Sequence, residues 1–299
     1  MAAEPDRWSR WVLERRDAGD PRQREATLGR LARIRDRVLR GGEPVLGETL
    51  LDVGTGDGLI GLAALDLVGA SGRVIFSDVS EALLERCREI VASRGMLDRA
   101  EFITTAAEGL AGVPDESVDV VTTRSVLIYV EDKTSAFISL HRVLRAGGRL
   151  SMFEPINRLM FPEPRGRFWG YDLAPVEGLV ERVQAIFTET ADPAFRAAMM
   201  DFDDRDLASL AENAGFGRVH VECHIDVGEA RGDAPVSIDA LLDSAPNPNA
   251  PTVREALTRA LTESEQVQFS SALETAFNER RRIGRMAVAY VSATKGSGI

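Results

Sequence analysis

Residues 50–61, LLDVGTGDGLIG, set three glycines at relative positions 1, 3 and 5 (Gly54, Gly56 and Gly58) between an apolar run and a helical pattern. Glycine lets the backbone take positive φ and lets a ligand approach with no Cβ in the way. The helix beyond offers free N–H groups in its first turn. At the carboxyl end of a first strand, such a bend is the expected ligand crevice of an open α/β sheet. Asp78 ends the next apolar run, 20 residues after Gly58, where a carboxylate can accept both hydroxyls of a ribose. Two cofactor classes share that acid, so it supports a ribose-bearing ligand without choosing between them. The glycine spacing does discriminate. A dinucleotide turn has its third glycine at position 6, where a pyrophosphate meets the helix N-terminus. Here position 6 is Leu59, which argues against NAD and FAD.

These residues need a sheet to hold them, and the pattern supplies one. Strands are expected at Thr49–Val53, Arg73–Ser77, Ala100–Thr104, Val118–Thr123 and Arg149–Glu154, alternating with helices near Leu59–Val68, Glu81–Ser93 and Lys133–Leu144. Gly147-Gly148 is the expected stop of the third helix. Strands that are nearly all apolar and alternate with helices argue for a parallel sheet covered on both faces. Residues 158–200 break the rhythm with Pro162, Pro164 and Pro175 and an aromatic cluster. A helix at Asp204–Ala214, a strand at Arg218–Ile225, helical stretches within 252–281 and a last strand at Arg285–Ala293 complete the chain. The expectation is a Rossmann-like α/β fold with a seven-stranded, mostly parallel sheet, N-terminal helices, and helical insertions covering the cleft. Its parts are 1–45 (N-terminal helical segment), 46–157 (ligand-binding core), 158–203 (insertion or lid) and 204–299 (completion of the sheet, with a helical insertion at 235–283).

Composition narrows the function classes. The chain has 299 residues, 44% of them apolar, which is enough for a substantial core. Its formal net charge of −11 does not suit a protein that mainly grips nucleic-acid phosphates. Residues 1–45 carry 11 Arg against 8 acids, and the helical spacing of Leu28, Leu31, Ile34, Val38 and Leu39 makes this an amphipathic helix with a solvated Arg face. Cys87 and Cys223 have no paired spacing, so neither a disulfide framework nor a cysteine zinc site is expected. No apolar run is long enough to span a membrane, and MAAEPDRWSRWVLERR is not a secretory signal. A reducing cytoplasm fits these features best. The oligomeric state is not legible.

Several segments together resemble the class I S-adenosylmethionine-dependent methyltransferases, most of all the group with the ubiquinone and menaquinone methyltransferases. They are LLDVGTGDG (50–58), VIFSDVS (74–80), DESVDVVTTRSVLIYVED (115–132) and HRVLRAGGRLSMFEP (141–155). The resemblance implies S-adenosylmethionine as cofactor and S-adenosylhomocysteine as product. It implies that Gly54, Thr55, Gly56 and Gly58 pass close to the methionine and ribose, and that Asp52 orients the turn or meets the methionine ammonium. Asp78 would hold the ribose and Val79 would pack on the adenine. Thr105, Ala106, Ala107 and Glu108 would close over the adenine edge. The family often has Asp where this chain has Ala106, so Glu108 or a water would take that contact. Arg124, unusual at its position, would pair with the methionine carboxylate or an acidic substrate.

Methyl transfer from a sulfonium needs positioning more than acid–base help, so no catalytic residue is obligatory. Tyr129 and Glu154 are the candidates. Tyr129 has packing as its alternative role, and Glu154 has capping of a loop. His141 reads as a surface residue, and His220 and His224 as packing on a late strand, with no third metal ligand in view. On the substrate side, Phe161, Phe168, Trp169 and Tyr171, with Arg158, Arg165 and Arg167, would roof an acceptor site, joined by Trp8 and Trp11. Anchoring the insertion is the alternative role for these aromatics. Aromatics with arginines suit a planar or acidic small molecule. The leading expectation is methyl transfer to oxygen, nitrogen or carbon of a small molecule. A peptide or RNA methyltransferase and a non-catalytic S-adenosylmethionine-binding module remain as alternatives.

Overall fold

TLLDV, Thr49–Val53 (β1), is buried from Leu50 onward and lies in the middle of the sheet, because every side chain but the first is apolar or hydrogen-bonded inside. The computed structural model describes residues 4–189, 192–229 and 235–296. On either side of β1 run β2 (Arg73–Asp78) and β4 (Val118–Arg124), followed outward by β3 (Ala100–Thr104) and β5 (Leu144–Pro155), all parallel. Two short strands, β6 (Arg167–Phe168) and β7 (Tyr171–Asp172), form a separate ribbon. The last long strands are β8 (Phe216–Glu229) and β9 (Ile283–Lys295). The seven-stranded order is β3-β2-β1-β4-β5-β9-β8, with β9 antiparallel to both neighbours. The fold expected from the strand–helix alternation is therefore the one observed. The point where the order reverses, between β1 and β4, is where an open α/β sheet leaves its crevice.

The N-terminal segment holds α1 (Arg7–Arg10), a widened turn at Trp11–Arg15 and α2 (Pro21–Gly42). Helices α3 (Gly61–Val68), α4 (Glu81–Ser93) and α5 (Lys133–Val143) connect the first five strands, and the four-residue α6 (Asn157–Met160) follows β5. The proline-rich stretch folds into α7 (Glu177–Glu189) and α8 (Pro193–Ala198), with Pro193 at the first position of α8, where its missing N–H costs nothing. Helix α9 (Asp204–Asn213) precedes β8, and α10 (Ile238–Asp243), α11 (Val253–Ala260) and α12 (Glu263–Asn278) lie between β8 and β9.

Gly147-Gly148 does not stop α5. The helix ends at Val143, and Leu144 is already extended and paired with Val118. Fully buried Leu144 draws the chain into the sheet, and the glycines fall in a bulge before Arg149 meets Val120. Gly147 there takes φ +77°, which a Cβ would strain.

The two insertions share one core. Phe168, Tyr171, Leu173, Val180 and Val183 from the first pack with Leu241, Val253, Leu257, Phe269 and Leu273 from the second. Lys133, buried at the start of α5, ties this side of the molecule down. Its Nζ donates to the carbonyls of Val130 (2.8 Å) and Ala198 (2.9 Å) and lies 2.7 Å from Asp201. No helix among the described residues is long and apolar enough to cross a membrane.

Candidate functional site

At the end of β1, Asp52 is buried and holds the bend from below. Its Oδ2 accepts from Thr55 Oγ1 (2.7 Å) and Gly61 N (2.9 Å), and its Oδ1 accepts from Thr122 Oγ1 (2.9 Å). These contacts let Asp52 orient the turn, and its Oδ1, which accepts only from Thr122, keeps a further lone pair. Burial raises its pKa to about 6 against those hydrogen bonds. Gly54, Gly56 and Gly58 all have positive φ, +62°, +57° and +85°. A Cβ on Gly54 would run into Val126, and one on Gly58 would lie 2.8 Å from Leu62 Cδ1. A Cβ on Gly56 would meet nothing within 4 Å. Two glycines therefore let the bend pack against the protein, and the third faces open space.

Asp78 at the end of β2 turns toward this bend. Its Oδ2 accepts from Gly56 N at 2.8 Å and its Oδ1 from Ser80 N at 2.9 Å. Each carboxylate oxygen keeps a further lone pair for a ligand hydroxyl. Burial, helped by nearby Asp6, raises its pKa. Val79 beside it is 51% exposed, a bare apolar face. Thr105 N donates to Asp78 O, which brings the 105–108 segment to the same edge. Ala106 is exposed there, Ala107 is buried in the main core, and Glu108 gives its carbonyl to Ser139 Oγ at 2.7 Å.

The N-terminal segment crosses above. Asp6 caps α1 by accepting from Trp8 N and Ser9 N, and its other oxygen accepts from Ser80 Oγ at 2.5 Å. Trp11 Nε1 donates to Ala245 O at 2.9 Å, and Ala245 N donates to Arg15 O at 3.0 Å. This stitches the segment to the loop before α11. Under it lies a cavity of about 510 Å³ whose walls include Trp11, Arg16, Arg124, Tyr129, Phe161 and Trp169. Arg16 connects cavity and bend, with Nη2 3.6 Å from Asp57 Oδ2. A larger space, about 740 Å³, adjoins it and shares Arg16, Phe161, Trp169 and Pro246.

Tyr129 stands in the cavity wall with its ring boxed by Trp8 (centroids 4.9 Å, edge-on), Phe195 (5.4 Å, stacked) and Trp11 (6.4 Å). Burial raises its pKa, so its hydroxyl stays protonated. Glu154 is completely buried and caps the loop after β4. It accepts from Val126 N (2.9 Å), Leu127 N (3.1 Å) and Ile128 N (3.4 Å). Of its two expected roles, loop capping is the one its contacts support. Burial raises its pKa from 4.5 to about 7. The native state therefore holds that proton more tightly than the unfolded chain, and stability falls as pH rises from about 4.5 through about 7. Glu154→Gln is expected to flatten this fall, which is worth roughly 3 kcal/mol. Thermal unfolding at pH 5 and pH 7.5 measures it, and an equally steep fall in the variant would show that Glu154 does not titrate there.

The proposed roof divides. Phe161 and Trp169 line both cavities, whereas Phe168 and Tyr171 are 1% and 2% exposed inside the helical core. They anchor the insertion, because their positions in the β6–β7 ribbon face α12. Trp8 backs Tyr129 rather than lining the cavity. Arg158 pairs with Asp203 and Asp206, and Arg165 with Glu177 and Glu181, all outside the cavity lining. Arg16 and Arg30 line it instead, so the N-terminal arginines are not all on a solvated face. Sequence spacing missed them, as it missed Asn157, Phe187 and Asn247. Their only signal was the local excess of Arg. His141 packs edge-on against Phe216, while His220 and His224 flank Glu222 on the outer face of β8.

Comparison with known proteins gives a consistent answer. A model of the ubiE/COQ5 methyltransferase family matches residues 28–228. The ubiquinone/menaquinone biosynthesis C-methyltransferase UbiE of Escherichia coli K12 is 30% identical over 177 residues, 58% of this chain and 68% of that protein. Among solved structures, YcgJ of Bacillus subtilis superposes with a TM-score of 0.53 at 16% identity, covering 88% of this chain and 98% of that one. The [4+2]-cyclase SpnF superposes with 0.50 at 18% identity, covering 89% and 81%. A cyclase among the neighbours shows that the fold alone does not assign the reaction.

Proposed function

Because the chain belongs to the ubiE/COQ5 methyltransferase family and is an S-adenosylmethionine-dependent methyltransferase, we propose that it methylates a small planar molecule held in the cavity between Tyr129, Phe161 and Trp169. The observation that carries this reading is the position of that aromatic cavity. It opens beside Arg124, the residue after Thr123, and Thr123 pairs with Val53 immediately before the glycine bend.

The site fits the cofactor. Gly56 leaves open space, Val79 offers an apolar face, and Asp78 has lone pairs for a ribose. In this reading Gly54, Thr55, Gly56 and Gly58 form the cradle, Asp78 holds the sugar, and Val79 with 105–108 borders the base. The bound cofactor supplies an electrophilic methyl group on a sulfonium. The chain's residues position the acceptor, exclude water through the N-terminal segment, and present the Tyr129 hydroxyl as a donor to an acceptor oxygen. The E. coli relative is named a C-methyltransferase, so carbon is the atom to test first.

The test is transfer of labelled methyl from S-adenosylmethionine to hydroxylated aromatics and quinols, set beside peptides and RNA. Label in the small aromatics supports the reading. Label only in peptide or RNA overturns it. Phe161→Ala is expected to raise the acceptor KM about 10- to 100-fold, since a phenyl face worth ~1.5–3 kcal/mol is lost, and to leave S-adenosylhomocysteine affinity unchanged. A loss of cofactor affinity instead would move Phe161 out of the acceptor side.

A further inference from the structure

The aromatic chamber holds one carboxylate. Among the described residues that line it, Asp17 is the only acid, and none is a histidine. Asp17 is 6% exposed, and its Oδ1 is buried with no hydrogen-bond partner among the described residues. Its other oxygen, Oδ2, accepts from Arg16 Nε at 3.4 Å. A buried polar atom left unpaired is costly, and Oδ1 calls for a donor from outside the chain. The other buried acids near the bend differ from it. Each oxygen of Asp52 and of Glu154 already has a protein donor. The backbone holds Asp17 in place. Ala18 and Gly19 follow it with φ +54° and +66°, a left-handed turn that Asp20 N closes on Asp17 O at 2.9 Å. Alanine adopts that conformation only at a cost. Arg16 then ties Asp17 to the glycine bend, with Nη2 3.6 Å from Asp57 Oδ2. One guanidinium group therefore separates this carboxylate from the bend.

We propose that Asp17 is a catalytic residue, the base that takes the proton from a hydroxyl of the aromatic acceptor. The proposal deepens the reading of the chamber as the acceptor site and rests on it. The acceptor's O–H bond breaks, and its proton goes to Asp17 Oδ1. The freed electron pair, on oxygen or delivered through the ring to carbon, forms the new bond to the methyl carbon. The carbon–sulfur bond breaks with its electrons left on sulfur. For an oxygen acceptor, Asp17 then passes its proton to solvent. For a carbon acceptor, Asp17 returns it to the oxygen as the ring C–H proton leaves to water. Either way one proton is released per methyl group. Such help matters for a weakly acidic hydroxyl and not for one already ionised.

The test uses catechol, 1,2-dimethoxybenzene (the same ring without a hydroxyl) and 4-nitrocatechol (which ionises near neutral pH unaided). The proteins are wild type, Asp17→Asn and Asp17→Ala, and thermal unfolding checks that each is folded. In methyl transfer, both variants should lose roughly 100-fold or more in kcat on catechol and far less on 4-nitrocatechol. That ratio is read on each variant, so either suffices if the other does not fold. In titrations with S-adenosylhomocysteine present, Asp17→Ala should bind catechol about tenfold or more weakly, since a charge-assisted hydrogen bond is lost. Its affinity for dimethoxybenzene should not change. Equal losses on the two catechols, no loss at all, or equal weakening of catechol and dimethoxybenzene overturns the base. A folded variant that loses S-adenosylhomocysteine affinity makes Asp17 a support of the bend through Arg16, and overturns it too. A wild type that methylates neither catechol overturns the chamber as the site of a hydroxylated aromatic, and the base with it.

Discussion

Asp78→Ala is expected to weaken S-adenosylhomocysteine binding by about 10- to 100-fold. A hydrogen bond from a ligand hydroxyl to a buried carboxylate is worth ~1.5–3 kcal/mol. Asp78 also tethers Gly56 N and Ser80 N, so the alanine variant loosens the glycine bend itself. Asp78→Asn separates the two effects, since it keeps the shape and one acceptor oxygen. Its loss should be smaller than that of alanine, with less change in thermal midpoint. Calorimetric titration measures both. Unchanged affinity in a folded Asp78→Ala protein would mean that the sugar is bound elsewhere.

Gly54→Ala and Gly56→Ala are expected to fail in opposite ways, although the two positions share nearly the same φ. At Gly54 a Cβ collides with Val126, on the loop that Glu154 caps. Overpacking costs ~1–3 kcal/mol and positive φ on a non-glycine residue ~1–2 kcal/mol. A stability loss of about 2–5 kcal/mol should follow, read as a lower denaturant midpoint. At Gly56 the Cβ enters open space. Only the backbone strain applies, and stability should fall by about 1–2 kcal/mol. Cofactor affinity should fall much further if the ligand backs onto the bend in that space, as proposed. Equal stability losses, or a Gly56→Ala protein with normal affinity, would place the ligand on another side of the turn.

Much of this architecture was legible in the chain itself. The five parallel strands were recognisable because a strand buried on both faces must be apolar nearly throughout, as β1 and β2 are. The bend was recognisable because positive φ without a Cβ is a local demand that only glycine meets cheaply. Both signals come from residues adjacent in sequence. Gly147-Gly148 shows the limit even of local signals. Glycine stops helices and also fills bulges, and the burial of Leu144 decided between the two.

The sheet, the bend, and the acid at the end of β2 are all local features, since each follows from backbone geometry and periodicity over a few residues. Which side chains line the cavity was settled by docking between distant segments. Trp11 bonds Ala245 across 234 positions, and the same docking brings Arg16 over the bend and leaves Arg158 and Arg165 outside. Phe161 and Trp169 could not be told from Phe168 and Tyr171 by composition, because an aromatic ring suits a cavity wall and a core equally well. The partner across the fold makes that choice: α12 covers Phe168 and Tyr171, and the cavity receives the other two.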